Sequence, residues 1–245
     1  MEILKVSLSP DLAAKVRQAG LEKYGNLRST SKLIESFVVA GMKKEDEPEA
    51  IKAARKIMRK NFFGVEEAVK HFGVNPTRQQ LAALSEIPFS EDMLEKSKDT
   101  HILVAVFPLS IIEIRDKVER KLFYNHEDAW YNEQSFAKEH GEVGWQLVRK
   151  IPADNSITKN WQEQQALFDK DDEVPTAQMM VYTIIGHILT TGEHLVERKY
   201  AYTSSVDSGG NRVYVSDVGF DGLGISDYWD AVRYDNEDMS SPRKL

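Results

Sequence analysis

Apolar and polar residues alternate at the start of the chain: Leu4-Lys5-Val6-Ser7-Leu8-Ser9 has the period of a half-buried strand. Ser9-Pro10-Asp11 reads as a helix start, with Ser as N-cap, Pro at the first helical position and an acid in the first turn. Leu12, Val16, Ala19 and Gly20 line one face of that helix, and Gly25-Asn26 supplies a left-handed stop. Ser29 or Thr30 caps a second helix, along which Leu33, Ile34, Phe37, Val38 and Gly41 form an apolar stripe. One strand and two helices are expected within residues 1–43.

The pattern then changes. Lys44-Glu45-Asp46-Glu47-Pro48-Glu49 is a charged hinge containing a proline, and residues 51–60 follow as a basic helix with Lys52, Arg55, Lys56, Arg59 and Lys60 and no acid. Residues 65–84 read as a helical pair around Gly73 that is superficially like a helix-turn-helix, although Val69 stands where a small residue normally lets the helices approach. The spacing predicts a helix over 90–98, a buried strand over 101–107, a helix over 110–124, a strand over 143–151 and a helix over 158–169. A long helix is predicted over 176–197, on the stripe Val181, Ile184, Ile185, Ile188, Leu189 and Leu195. Residues 200–206 and 212–216 alternate around Asp207-Ser208-Gly209-Gly210-Asn211, a hairpin signal, and a further short strand is expected at 223–227. The expected class is α+β. An N-terminal strand–helix–helix module (1–43) and a charged connector (44–60) precede a mixed helical domain (61–245) that ends in an antiparallel sheet.

Composition narrows the classes. The 245 residues contain no cysteine, which excludes disulfide frameworks, thiolate metal sites and cysteine nucleophiles. The longest apolar runs fall short of the ~20 residues that a membrane span needs. The start lacks the basic-then-apolar pattern of a signal peptide, so a cytoplasmic protein without a membrane partner is expected. Charge is unevenly placed. Residues 1–60 carry 13 Lys/Arg against 8 Asp/Glu, net +5, whereas residues 61–245 are net −12. Such asymmetry suits a nucleic-acid-binding arm on an acidic body.

A lone strand beside two helices cannot satisfy its own backbone or bury its apolar side. Pairing with the same strand of a second copy solves both problems and predicts a two-fold homodimer. Leu4, Val6 and Leu8 would face the core and Lys5 and Ser7 outward, on a two-stranded ribbon that fits the major groove of B-DNA. Residues 2–42 resemble the ribbon–helix–helix superfamily, the Arc and MetJ repressor type, through residues 4–12 and through Arg28-Ser29-Thr30-Ser31-Lys32-Leu33-Ile34-Glu35-Ser36-Phe37. The resemblance implies double-stranded DNA as partner, base contacts from Lys5 and Ser7, and phosphate contacts from Arg28, Ser29 and Thr30 at a helix N-terminus. Lys52, Arg55, Lys56 and Arg59 are candidates for accessory phosphate contacts.

The body shows no nucleotide-binding glycine loop and no nucleophile elbow, and no cofactor or metal is expected. Asp99, His101, Glu113 and Arg115 border the predicted strand 101–107 and form its best-placed polar set; His126 and Asp128, with His140, are a second. His187 and His194 stand about 10.5 Å apart on the long helix, too far to share a metal, and are expected to be packing or surface residues. The reading that follows is a homodimeric DNA-binding regulator whose body senses a ligand or binds a protein partner. Two rivals are a hydrolase-like enzyme using carboxylates and histidines of residues 99–140, and an antitoxin-like binder that only dimerises through its N-terminus.

Overall fold

The computed structural model describes residues 47–125, 127–150, 159–166, 173–195, 200–219, 221–228 and 239–240. The chain divides into two compact units, Met1–Glu49 and Ala50–Leu245. The elements expected within residues 4–43 lie outside the described residues.

Helix α1 spans Glu49–Met58 and buries Ile51, Ala54 and Met58, spaced so that all three fall on one face. The basic helix is therefore part of the body's core packing and not a free connector. A 3₁₀ turn, Arg59–Asn61, leads into the two-residue strand β1, Phe62–Phe63. The helical pair follows as α2, Val65–Phe72, and α3, Arg78–Ala83. Gly73, at φ 59°, ends α2 in the left-handed conformation that glycine adopts without a Cβ penalty. Helix α4 is Glu91–Ser97, capped by the Ser90 hydroxyl, and strand β2, His101–Val106, is buried throughout.

Helix α5 is only Ile111–Lys117, shorter than the spacing predicts. Val118 turns extended, and Phe123 then bridges to Leu223, so the chain is drawn off the helix to the second sheet. Short turns lead to α6, Ser135–Lys138, and strand β3, Gly144–Arg149. Helix α7 is Trp161–Gln165. Helix α8, Ala177–Thr191, is capped by the Thr176 hydroxyl and stops at Gly192, φ 72°, before the predicted end. Residues 177–187 of α8 are buried on every side, so it is a core helix and not an amphipathic one.

The body is mixed helix and sheet with a C-terminal antiparallel sheet, as expected. Strand order in the first sheet is β1-β2-β3, with β1 parallel and β3 antiparallel to β2. The second sheet contains β4 Tyr200–Val206, β5 Arg212–Gly219, β6 Gly222–Tyr228 and a short β7, Met239–Ser240, in the order β6-β5-β4-β7. The β4–β5 hairpin turns at Asp207, whose carboxylate accepts the backbone N–H of Gly209 and of Asn211. Helix α8 packs between the sheets and joins their cores into one hydrophobic cluster. Gly186 permits this packing, because a Cβ there would lie 2.9 Å from the Phe63 ring. Tyr182 stacks with Phe72 at 4.7 Å between ring centroids and donates its hydroxyl to the Ala105 carbonyl at 3.0 Å.

Candidate functional site: two polar clusters at the ends of β2

Cross-strand partners in an antiparallel pair share a face of the sheet. His101 pairs with Arg149 and Ile102 with Val148, so Lys150, one residue past β3, falls on the Ile102 face and His101 on the other. The Ile102 face is also that of Val104 and of Phe63, its partner on β1, and Phe63 meets α8. Four segments therefore converge at this end of β2: the turn after α1, the loop before β2, the end of β3, and the last turn of α8 with its C-cap.

Asn61 organises the convergence. It is 2% exposed, and its side-chain amide donates to the Lys98 carbonyl at 2.6 Å, while its Oδ1 accepts Lys150 Nζ at 3.1 Å. The Lys150 backbone N–H donates to the Thr100 carbonyl at 2.9 Å, which fixes the origin of that side chain. Burial, reinforced by the charge of Lys60, holds the Lys150 ammonium below the usual lysine range; Glu193 and Asp99 oppose this from a distance. His187, 4% exposed, lies on α8 within electrostatic reach of Lys150, Glu193 and Lys60. Burial first, and Lys150 second, push its pKa down to about 4, so the imidazole is neutral at pH 7. At the surface, Lys60 Nζ donates to Glu193 Oε2 at 2.6 Å. Glu193 is placed by the Thr191 hydroxyl, which accepts the Glu193 N–H at 3.0 Å and donates to the His187 carbonyl at 2.8 Å. The Glu193 carboxyl is held below its usual range by the Lys60 hydrogen bond, with His187 and Lys150 adding to the effect.

The other end of β2 is built differently. Ser110 and Glu113 form a reciprocal cap on α5: the Ser110 hydroxyl accepts the Glu113 N–H at 3.2 Å, and Glu113 Oε2 accepts the Ser110 N–H at 2.8 Å. His140 Nε2 lies 2.9 Å from the same oxygen. Burial raises the Glu113 pKa, but the Ser110 and His140 contacts outweigh it and leave the carboxyl below its ordinary value. Arg115 is 7% exposed, donates to Asn132 Oδ1 at 2.6 Å and to Asp116 at 3.4 Å, and lies over the Tyr131 ring at 5.8 Å. Asn132 in turn donates to the Glu127 carbonyl at 3.0 Å, so Arg115 fastens the loop preceding α6 to α5.

The set Asp99, His101, Glu113 and Arg115 is thus divided between the two ends of a six-residue strand, roughly 17 Å apart at about 3.3 Å per residue. A hydrolytic reading of those residues has no common centre. His101 shares a hydrogen with Thr100 Oγ1 at 2.8 Å. His140 lies with Glu113, Asp128 lines a cleft of about 500 Å³ together with Arg120 and Glu127, and His126 lies outside the described residues. His187 is buried as a packing histidine would be, and His194 is exposed. Among the described residues no group of three His, Asp or Glu side chains is placed to hold a metal ion.

Of the groups expected to meet DNA, Lys5, Ser7, Arg28, Ser29 and Thr30 lie outside the described residues. The Arg55 guanidinium pairs with Glu67 and Glu66 and stacks on Phe62, 4.4 Å from the ring centroid. Lys52 is half-buried, while Lys56 and Arg59 are exposed. Sequence reasoning did not connect Asn61, Lys60 and Lys150 with Glu193, and it read His187 and His194 as packing or surface residues. The one available signal was a histidine within the most apolar helix of the chain.

No protein-family model, no curated protein and no solved structure matches the chain. Among the described residues no helix is long and apolar enough to cross a membrane.

Proposed function

We propose that the chain is a cytoplasmic DNA-binding regulator that works as a homodimer and reads the major groove through residues 1–43, while its acidic body answers to a small molecule or a protein partner. The observation that carries this reading is the N-terminal pattern itself: the spacing of an alternating strand, a capped helix and a second capped helix, in residues 1–43 of net +3 within a chain of net −7. The body adds indirect support. Arg55 and Lys60 are engaged by its own carboxylates, which leaves phosphate neutralisation chiefly to residues 1–43, with exposed Lys56 and Arg59 as accessories. The proposed roles are base contact for Lys5 and Ser7 and phosphate contact for Arg28, Ser29 and Thr30.

Fluorescence anisotropy of the full chain with labelled duplex DNA over a salt series tests the reading. Removing one phosphate contact with Arg28→Ala should lower the slope of log K against log salt by about 1. Lys5→Ala should relax sequence preference by about 1–3 kcal/mol. Binding curves identical to those of the unsubstituted protein for both variants would contradict it.

A further inference from the structure

The geometry points to an anion site at the α8 end of β2, already filled by the chain's own Glu193. Lys60, Lys150 and His187 come from three separate segments that meet near Glu193: Lys60 Nζ donates to its carboxylate at 2.6 Å, and the Thr191 hydroxyl ties the Glu193 N–H to the His187 carbonyl. That carboxylate is 51% exposed, sits just past the α8 C-cap and is bound through a single ion pair to Lys60, itself 56% exposed. Exposed pairs of this kind contribute little, so an external oxyanion can compete with Glu193 for Lys60.

Lys150 is the reason a competitor gains something. Its ammonium has three donors and, among the described residues, one hydrogen-bond acceptor, the neutral Asn61 Oδ1. Asp99 and Glu193 act on it only at a distance. An oxyanion small enough to pass between Lys60 and Lys150 would accept from both ammonium groups and from the N–H of neutral His187. Asn61 is too firmly held by the Lys98 carbonyl to move with it. Against binding stands the C-terminus of α8, where the helix dipole favours cations and disfavours an anion. Both lysines are needed to overcome it. The ligand class is a small carboxylate or phosphate, and its arrival would release Glu193 and the residues next to it from Lys60. The inference concerns the body alone and does not depend on DNA binding by residues 1–43.

The test follows the imidazole resonances of His187 in the full-length protein while inorganic phosphate, and in a second arm acetate, is added at constant ionic strength without DNA. A saturable shift is expected with at least one of the two anions. Glu193→Gln, which removes the internal competitor, should tighten the apparent Kd by about fivefold, close to 1 kcal/mol. Lys150→Gln keeps a donor for Asn61 but loses the charge, and should abolish saturation while the rest of the spectrum stays folded. No saturation with either anion in both wild type and Glu193→Gln would overturn the inference, as would an affinity insensitive to Lys150→Gln.

Discussion

The two ends of β2 are built from similar residue types and do different things with them. At the Ser110 end, Glu113 completes a helix cap and meets His140, and buried Arg115 is held by Asn132 and Asp116 across a tyrosine ring. At the Lys150 end, a half-buried ammonium leans on one neutral amide, a histidine is kept uncharged by its surroundings, and the Glu193 carboxylate belongs to an exposed pair. The first arrangement fastens loop to helix. The second leaves positive charge under-compensated where solvent can reach it. Charge content alone does not mark a site; the distinguishing feature is whether the partners of each charge are fixed and local.

The largest expected effect lies at the fastened end. Arg115→Ala removes a buried group that holds Asn132 and covers Tyr131, and should lower stability by about 2–4 kcal/mol in urea unfolding. If the loss were below about 0.5 kcal/mol, Arg115 would not be structural and the contrast would fail.

Next comes the acid limb of stability. His187 has a pKa of about 4 when folded and an ordinary value of 6.5, so the unfolded chain binds more protons between those limits. Its contribution is fully present above pH 6.5 and is lost as pH falls through about 4. The range amounts to up to about 3 kcal/mol. His187→Leu should flatten the unfolding midpoint between pH 6.5 and 4; an unchanged pH profile would show that the imidazole is not held neutral.

Asn61→Ala should follow, at about 1–2 kcal/mol, because it strands the Lys98 carbonyl and removes the acceptor of Lys150. Smallest is Glu113→Gln. The Glu113 carboxyl is depressed in the folded state, so its contribution is present above the ordinary carboxylate range and is lost as pH falls through the lower folded value. With side chains 46% and 54% exposed in the pair, its effect at pH 7 should stay below about 1 kcal/mol. A larger loss would put the Ser110 end under a control that its geometry does not suggest.

Local signals were legible in the chain and distant ones were not. The helix starts at Ser90, Ser110 and Thr176, the turn at Gly73 and the hairpin at Asp207 each depend on residues within four positions, and all appear where the spacing predicts or nearly so. Helix α8 was found, but its burial on all sides was not, since a stripe of aliphatic residues looks the same whether one sheet or two cover the helix. Helix α5 ends early because Phe123 bridges to Leu223, a hundred residues away in sequence. The Lys150 cluster unites residues 60, 61, 150, 187 and 193, and no periodicity connects them. The expectation that Asp99, His101, Glu113 and Arg115 act together came from their nearness in sequence around one strand, and a strand separates what it joins.

Residues 1–43 are proposed to read DNA while the body serves another ligand. The most direct measurement of this is the salt dependence of duplex binding by the full chain beside its Arg28→Ala variant. The account predicts a steep log–log slope that Arg28→Ala reduces by about 1. Absence of duplex binding at low salt, or a slope that the substitution leaves unchanged, would contradict it.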